Sequence, residues 1–236
     1  MKLAAAAAVV LTGYTVGSRF LPALSGAFEV LVPTLVVLSL AAALMYGLLP
    51  ARSLGSRLLL IALLSLIAAV VFSRLDWVPV ANLAKITLAT SFGFWIIAQI
   101  EDLLVIVLVA AVSAAVDIFS VFAGPTKAII ESHPGALDYF GVMIAAFGYS
   151  YDVAAALLGT SDFFFFAVYM AAAEAFGLRT VRTVVFMVLS VVATMAFSIW
   201  ARALPELPLL ALGFLAANGD LLWARRREMV SEMRWR

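Results

Sequence analysis

An all-α, polytopic membrane protein is the fold class this sequence predicts, and three observations predict it. Of the 236 residues, 66% are hydrophobic and only 12% are charged, a balance outside that of soluble domains. Mean hydropathy is +1.14. The chain also divides into about eight apolar runs of the roughly 17 to 25 residues that a helix needs to cross a hydrocarbon core of about 30 Å. A single integral membrane domain over residues 1–236 follows. It divides into scaffold helices (1–100), a segment carrying acids within apolar runs (101–223) and a basic tail (224–236). A net charge of +1 gives no reason to expect nucleic acid, and the absence of cysteine excludes disulfides, thiolate metal sites and cysteine nucleophiles.

The first apolar run, Leu3 to Val16, follows Lys2 and is read as a span. Its length also resembles a secretory signal peptide, although no clear small-x-small cleavage site precedes Arg19. Spans two to four are expected at Phe28 to Leu49, Leu54 to Phe72 and Leu83 to Ile100, divided by short polar turns that force neighbouring helices to run antiparallel. Span five, Leu103 to Phe122, is closed by Gly124-Pro125, which caps a helix and prevents its continuation. Residues 127–158 have a different texture, with Lys127, Glu131, His133, Asp138 and Asp152 around the weakly alternating patch Tyr139 to Phe147. This segment predicts a short amphipathic helix followed by one or two strands. Spans six to eight are expected at Asp162 to Phe176, Val181 to Trp200 and Leu207 to Trp223.

Sidedness follows from the basic residues. Lys2, Arg52, Arg57, Arg179, Arg182 and the tail arginines fall on the face reached by both termini, against Arg19, Arg74, Lys85, Lys127 and Arg202 on the other. The positive-inside rule then predicts a protein of the cell membrane with both termini cytoplasmic, although the excess comes from the tail. Trp77, Trp95, Trp200 and Trp223 fit interfacial belts at the span ends.

Two acids fall inside or at the mouth of apolar runs, Asp117 and Asp162. A carboxylate near hydrocarbon is costly and marks a functional site by default. Under the alternating topology both lie toward the outer face, where Pro205-Glu206-Leu207-Pro208 also joins spans seven and eight, so three separate segments are expected to converge. On span five, Ser113, Asp117, Ser120 and Gly124 recur at helical spacing and make one polar stripe that faces protein or water. Two carboxylates at close range in a low-dielectric site hold one proton between them, which is acid–base machinery. The plainer reading is that the two acids are separate polar anchors near helix ends, where a carboxylate suits the start of a helix.

From Ala110 to Asn218 the chain resembles the intramembrane aspartyl proteases of the Gly-x-Gly-Asp type, the family of presenilin and signal peptide peptidase. Val116-Asp117 followed by Gly124-Pro125 looks like the first motif of that family, Gly159-Thr160-Ser161-Asp162-Phe163 like the second, and Ala203-Leu204-Pro205-Glu206-Leu207-Pro208 like its Pro-Ala-Leu motif. The resemblance implies a presenilin-like bundle with a strand-containing loop between two catalytic helices. It implies Asp117 and Asp162 as the catalytic pair, and Val116, Gly159, Thr160, Ser161, Phe163, Pro205, Glu206, Leu207 and Pro208 as residues lining the site. The substrates it implies are transmembrane helices or signal-peptide remnants drawn from the bilayer, cleaved by water without a metal or other cofactor. Three departures stand out: Val116 replaces a tyrosine, Ser161 replaces the second glycine, and Glu206 replaces an alanine. Ser161 is expected to restrict the backbone, and Glu206 to add a third carboxylate that makes the pair hold its proton more tightly, so that Glu206→Ala moves an activity optimum to lower pH.

Other features have plainer readings. His133 is the only histidine and is read as a loop residue, Tyr151-Asp152 as a loop copy of a Tyr-Asp pair, Glu101-Asp102 as a solvated turn, Glu174 as interfacial, and Arg225-Arg226-Arg227 as a charge anchor. The competing functional class is an ion- or proton-coupled transporter or channel, which would call for an inverted repeat with broken helices, and no repeat is evident. A relative of the prepilin peptidases is disfavoured by phenylalanines where their motif has lysine. A non-catalytic binder of transmembrane helices is a third reading, suggested by Ser161 and Glu206.

Overall fold

The computed structural model describes residues 2–124, 137–201 and 204–233. Its helices are α1 (Lys2–Gly17), α2 (Phe28–Leu48), α3 (Arg57–Arg74), α4 (Val78–Ile97), α5 (Leu103–Phe122), the four-residue α6 (Leu137–Phe140), α7 (Thr160–Ala175), α8 (Thr180–Ala201) and α9 (Leu207–Met233). Strands β1 (Gly141–Ala145) and β2 (Ala154–Gly159) form an antiparallel ribbon between α6 and α7, with Gly141 opposite Gly159 and Ile144 opposite Ala156. Among the described residues, seven helices are long and apolar enough to cross a membrane: α1 to α5, α8 and α9. The chain is therefore a mostly helical protein with the make-up of an integral, multi-pass membrane protein.

The remaining expected span, the sixth, is α7, and it differs in kind. It has 16 residues, about 24 Å at helical rise, less than the hydrocarbon thickness. It is instead the centre of the bundle. Phe163 and every residue from Phe166 to Ala173 are buried, because α4, α8, α9 and α5 pack around it. A helix apolar on all faces and enclosed by others needs no lipid contact along its length. By contrast α3 and α5 present broad apolar faces outward, with Leu60, Leu64, Val112 and Phe119 all more than half exposed.

The remaining differences from the sequence reading have local causes. Helix α4 starts at Val78 rather than Leu83, because Pro79 sits in its first turn, where its fixed φ suits a helix start and its missing N–H leaves no bond unmade. Lys85, expected among the outer-face charges, is consequently well inside α4, 4% exposed, with its ammonium donating to Gly141 O at 2.6 Å. The patch Tyr139 to Phe147 is split, with Tyr139 and Phe140 ending α6 and β1 stopping at Ala145. The basic tail begins as a continuation of α9, which runs to Met233. Lys127, Glu131, His133, Arg202, Ala203, Arg234 and Arg236 lie outside the described residues.

Charged contacts gather at the end of α7 away from Asp162. Arg52 pairs with Glu174 and also donates to Ala171 O, and Arg179 forms a two-pronged pair with Asp220, both bonds 2.6 Å. Exposed pairs of this kind contribute little stability each, but they tie the end of α7 to the connection after α2, and the start of α8 to the middle of α9.

Candidate functional site

Asp162 is the third residue of α7, and the chain enters this helix directly from β2. Its Oδ2 accepts the backbone N–H of Gly159, the N-cap residue, at 2.9 Å. An acid at this position satisfies a donor that the helix start would otherwise leave unpaired. At Gly159 the backbone suits any residue, but a side chain would press on the acid. A Cβ at this position would stand 2.9 Å from Asp162 Oδ2 and 3.0 Å from Ser161 Oγ.

Asp117 lies one and a half turns before the end of α5 and reaches across to the start of α9. Its Oδ2 accepts the N–H of Leu207 at 2.9 Å, with the backbone of Glu206 close beside it. The carboxylate thus occupies the positive end of a helix whose first N–H groups lack an internal acceptor. Asp162 lies within electrostatic reach of Asp117, and Glu206 within reach of both. The three segments that the topology expects to meet do meet: the end of α5, the start of α7 and the α8–α9 connection.

The supporting shell includes groups that sequence reading missed. Ser113, one turn before Asp117, hydrogen-bonds Tyr169 of α7 at 3.0 Å, and the Tyr169 ring stacks on Phe214 of α9. Tyr169 follows Asp162 by seven residues, so it lies on the same helix face, and that spacing was a usable signal. On the far side, Asn82 of α4 brackets Met143 of β1, donating to its carbonyl at 2.7 Å and accepting from its N–H at 3.0 Å. With Lys85 on Gly141 and the Tyr14 hydroxyl on Ala145 O, side chains of α1 and α4 occupy the outer edge of β1. The outer edge of β2, which leads into Asp162, has no strand partner among the described residues.

The expected lining residues separate into two groups. Gly159, Pro205, Glu206 and Leu207 lie at the carboxylates, and Thr160 follows Gly159 with its hydroxyl buried and unpartnered. Val116 stands apart from the carboxylates on its helix. It is 59% exposed on the outward face of α5, because neighbouring helical residues point about 100° apart. Ser161 is exposed in the first turn of α7 and causes no strain, since Asp76 is the one non-glycine residue with positive φ among the described residues. Phe163 turns into the core, 2% exposed. Beside Asp162 it helps line a void of about 10 Å³ with Leu158, Phe166 and Val191, close to the room one water needs. Pro208 faces a larger apolar groove of about 260 Å³ that also borders Thr194, Phe197, Leu204 and Pro205.

Glu206 is enclosed beside the two acids. It is 6% exposed and its Oε1 is buried without a hydrogen-bond partner. Burial first, and then the charge of Asp162, push its carboxyl up to about 9.

Of the remaining acids, Asp102 is the N-cap of α5 and accepts the Leu104 N–H at 2.8 Å. Asp152 borders a polar pocket with Asp76, Asn82 and Lys85, and its hydrogen bond to Ser150 holds its carboxyl below the usual value. Among the described residues no group of three metal-ligating side chains converges. No protein-family model matches the chain, and no curated protein or solved structure is significantly similar to it.

Proposed function

We propose that the chain is an intramembrane aspartic endopeptidase that hydrolyses peptide bonds of transmembrane helices, with Asp117 and Asp162 as its catalytic pair. The observation that carries this reading is the meeting of the two carboxylates, each held by a backbone N–H, at the end of a ribbon whose β2 edge has no strand partner among the described residues. In the reaction the pair holds one proton. The ionised acid takes a proton from water as its oxygen attacks the carbonyl carbon, and the protonated acid donates to the carbonyl oxygen. The resulting diol collapses by breaking the C–N bond, and the amine leaves with a proton from the pair. Which acid begins as base is a property of the coupled pair.

A helix cannot be cut while its carbonyls are hydrogen-bonded within it, so the substrate must unwind. The outer edge of β2, unpaired among the described residues, suits an unwound segment, because adding a strand satisfies the backbone groups that unwinding exposes. The apolar groove beside Pro205 and Pro208 would take a neighbouring side chain. The bundle then belongs with the presenilin-like architecture, in the cell membrane with both termini cytoplasmic. The test is cleavage of single-span peptides by the purified protein in liposomes, lost on replacing either acid.

A second reading is favoured by one observation. Both carboxylates also serve as helix caps, Asp162 for its own helix and Asp117 for α9, which is all that a non-catalytic binder of transmembrane helices would ask of them. Such a protein would bind the same peptides and cut none.

A further inference from the structure

We propose that Lys85 is a positioning residue for Asp162: from α4 it fixes the Gly141–Gly159 pair of the ribbon, and the Gly159 N–H in turn fixes the Asp162 carboxylate. The proposal deepens the protease reading and rests on it for its effect on cleavage.

The outer edge of β1 is held at every second residue. Lys85 Nζ donates to Gly141 O at 2.6 Å, Asn82 takes both the N–H and the C=O of Met143, and the Tyr14 hydroxyl donates to Ala145 O. In an antiparallel ladder, pairs that bond to each other alternate with pairs whose groups point away from the partner strand. Met143 and Leu157 make a pair of the second kind, because Asn82 takes the Met143 groups. Gly141 and Gly159, two residues along each strand, therefore make another. This pair is gripped from opposite sides, the Gly141 carbonyl by Lys85 and the Gly159 N–H by Asp162 Oδ2 at 2.9 Å. Pairs of this kind stand only about 4.5 Å apart at Cα, so a shift at Gly141 is passed to Gly159 and from there to the acid.

Two observations single out Lys85. It acts on the strand pair next to Asp162, whereas Asn82 and Tyr14 act two and four residues further along β1. Gly141 also has no side chain by which to be held, and none would fit, since a Cβ there would stand 2.4 Å from Leu157 Cγ. Its place depends on main-chain contacts, and a bond from an ammonium is of the stronger, charge-assisted kind. Lys85 is 4% exposed within an apolar helix, a costly setting that marks a cation as functional by default. The chemistry proposed for the two acids makes no direct use of it.

Lys85→Met keeps an apolar stem and removes the donor. In liposomes, amide hydrogen exchange in fragments covering Gly141–Ala145 and Ala154–Gly159 should rise about tenfold in this variant, with α8 and α9 exchanging as in wild type. Unchanged ribbon exchange, or faster exchange in every helix, overturns the proposal whether or not any peptide is cut. In the cleavage assay kcat should fall about tenfold while KM changes much less, the mark of a misplaced catalytic group. Full activity, or a loss confined to KM, overturns the proposal and leaves the protease reading in place. Rescue separates the ammonium from mere bulk. The chain has no cysteine of its own, so Lys85→Cys can be aminoethylated at that position alone, through the polar pocket that Lys85 borders. The aminoethylated protein, verified by mass, should regain slow ribbon exchange and kcat, and the unalkylated form should not. Equal behaviour of the two forms contradicts the proposal, and this comparison also decides the matter where Lys85→Met does not fold.

Discussion

The Asp117 carboxylate accepts the Leu207 N–H at 2.9 Å, a bond between residues ninety positions apart. One hydrogen bond therefore joins the end of α5 to the start of α9. It fixes where one acid stands and explains why the α8–α9 connection returns to the level of Asp162.

Gly159 should be intolerant of a single methyl group. In Gly159→Ala the new Cβ would stand 2.9 Å from Asp162 Oδ2, so the carboxylate must move although the backbone conformation suits alanine. Cleavage should fall about a hundredfold, the order of effect of a misplaced catalytic group, with a melting temperature close to that of wild type. Activity near that of the parent would show that Asp162 is not held by Gly159 in the working enzyme.

Asn82 should matter to the ribbon more than its place in a scaffold helix suggests. Asn82→Ala leaves the Met143 N–H and C=O without their partner, at a cost of about 1–3 kcal/mol in a buried setting. Thermal unfolding should register that loss, and cleavage should fall further than the lost stability accounts for, because β1 supports β2. Equal activity per folded molecule would separate the ribbon from function.

Orientation can be read with one cysteine, since the chain has none of its own. Tyr149 is exposed in the connection between β1 and β2. With both termini cytoplasmic, Tyr149→Cys should react with an impermeant thiol reagent on intact cells. By its resemblance to signal peptide peptidase, the protein should also prefer substrate spans whose N-terminus is cytosolic. Labelling only after the cells are opened, or faster cleavage of the reverse span, would invert the topology.

How much of this was legible in the sequence depended on the range of the interactions. Span lengths and the meeting of Asp117, Asp162 and the Pro205–Pro208 segment followed from apolar runs and short turns, because both constrain the chain locally. The role of α4 was hidden, since Asn82 and Lys85 near the start of an apolar run look like an approach to the membrane surface until β1 is set beside them. Val116 adjoins Asp117 in sequence yet stands on an exposed face of α5, because adjacency in sequence is not adjacency on a helix face. The burial of Glu206 depends on residues brought together from other helices, and no local pattern encodes that.

The most direct measurement incubates purified wild type, Asp117→Asn and Asp162→Asn in liposomes with a panel of single-span peptides and identifies the products by mass spectrometry. The account predicts internal cleavage by wild type and none by either variant, with all three equally folded, because asparagine can still accept the Leu207 or Gly159 N–H but cannot share a proton. Cleavage that survives in either variant, or peptides bound but left intact by wild type, would contradict it.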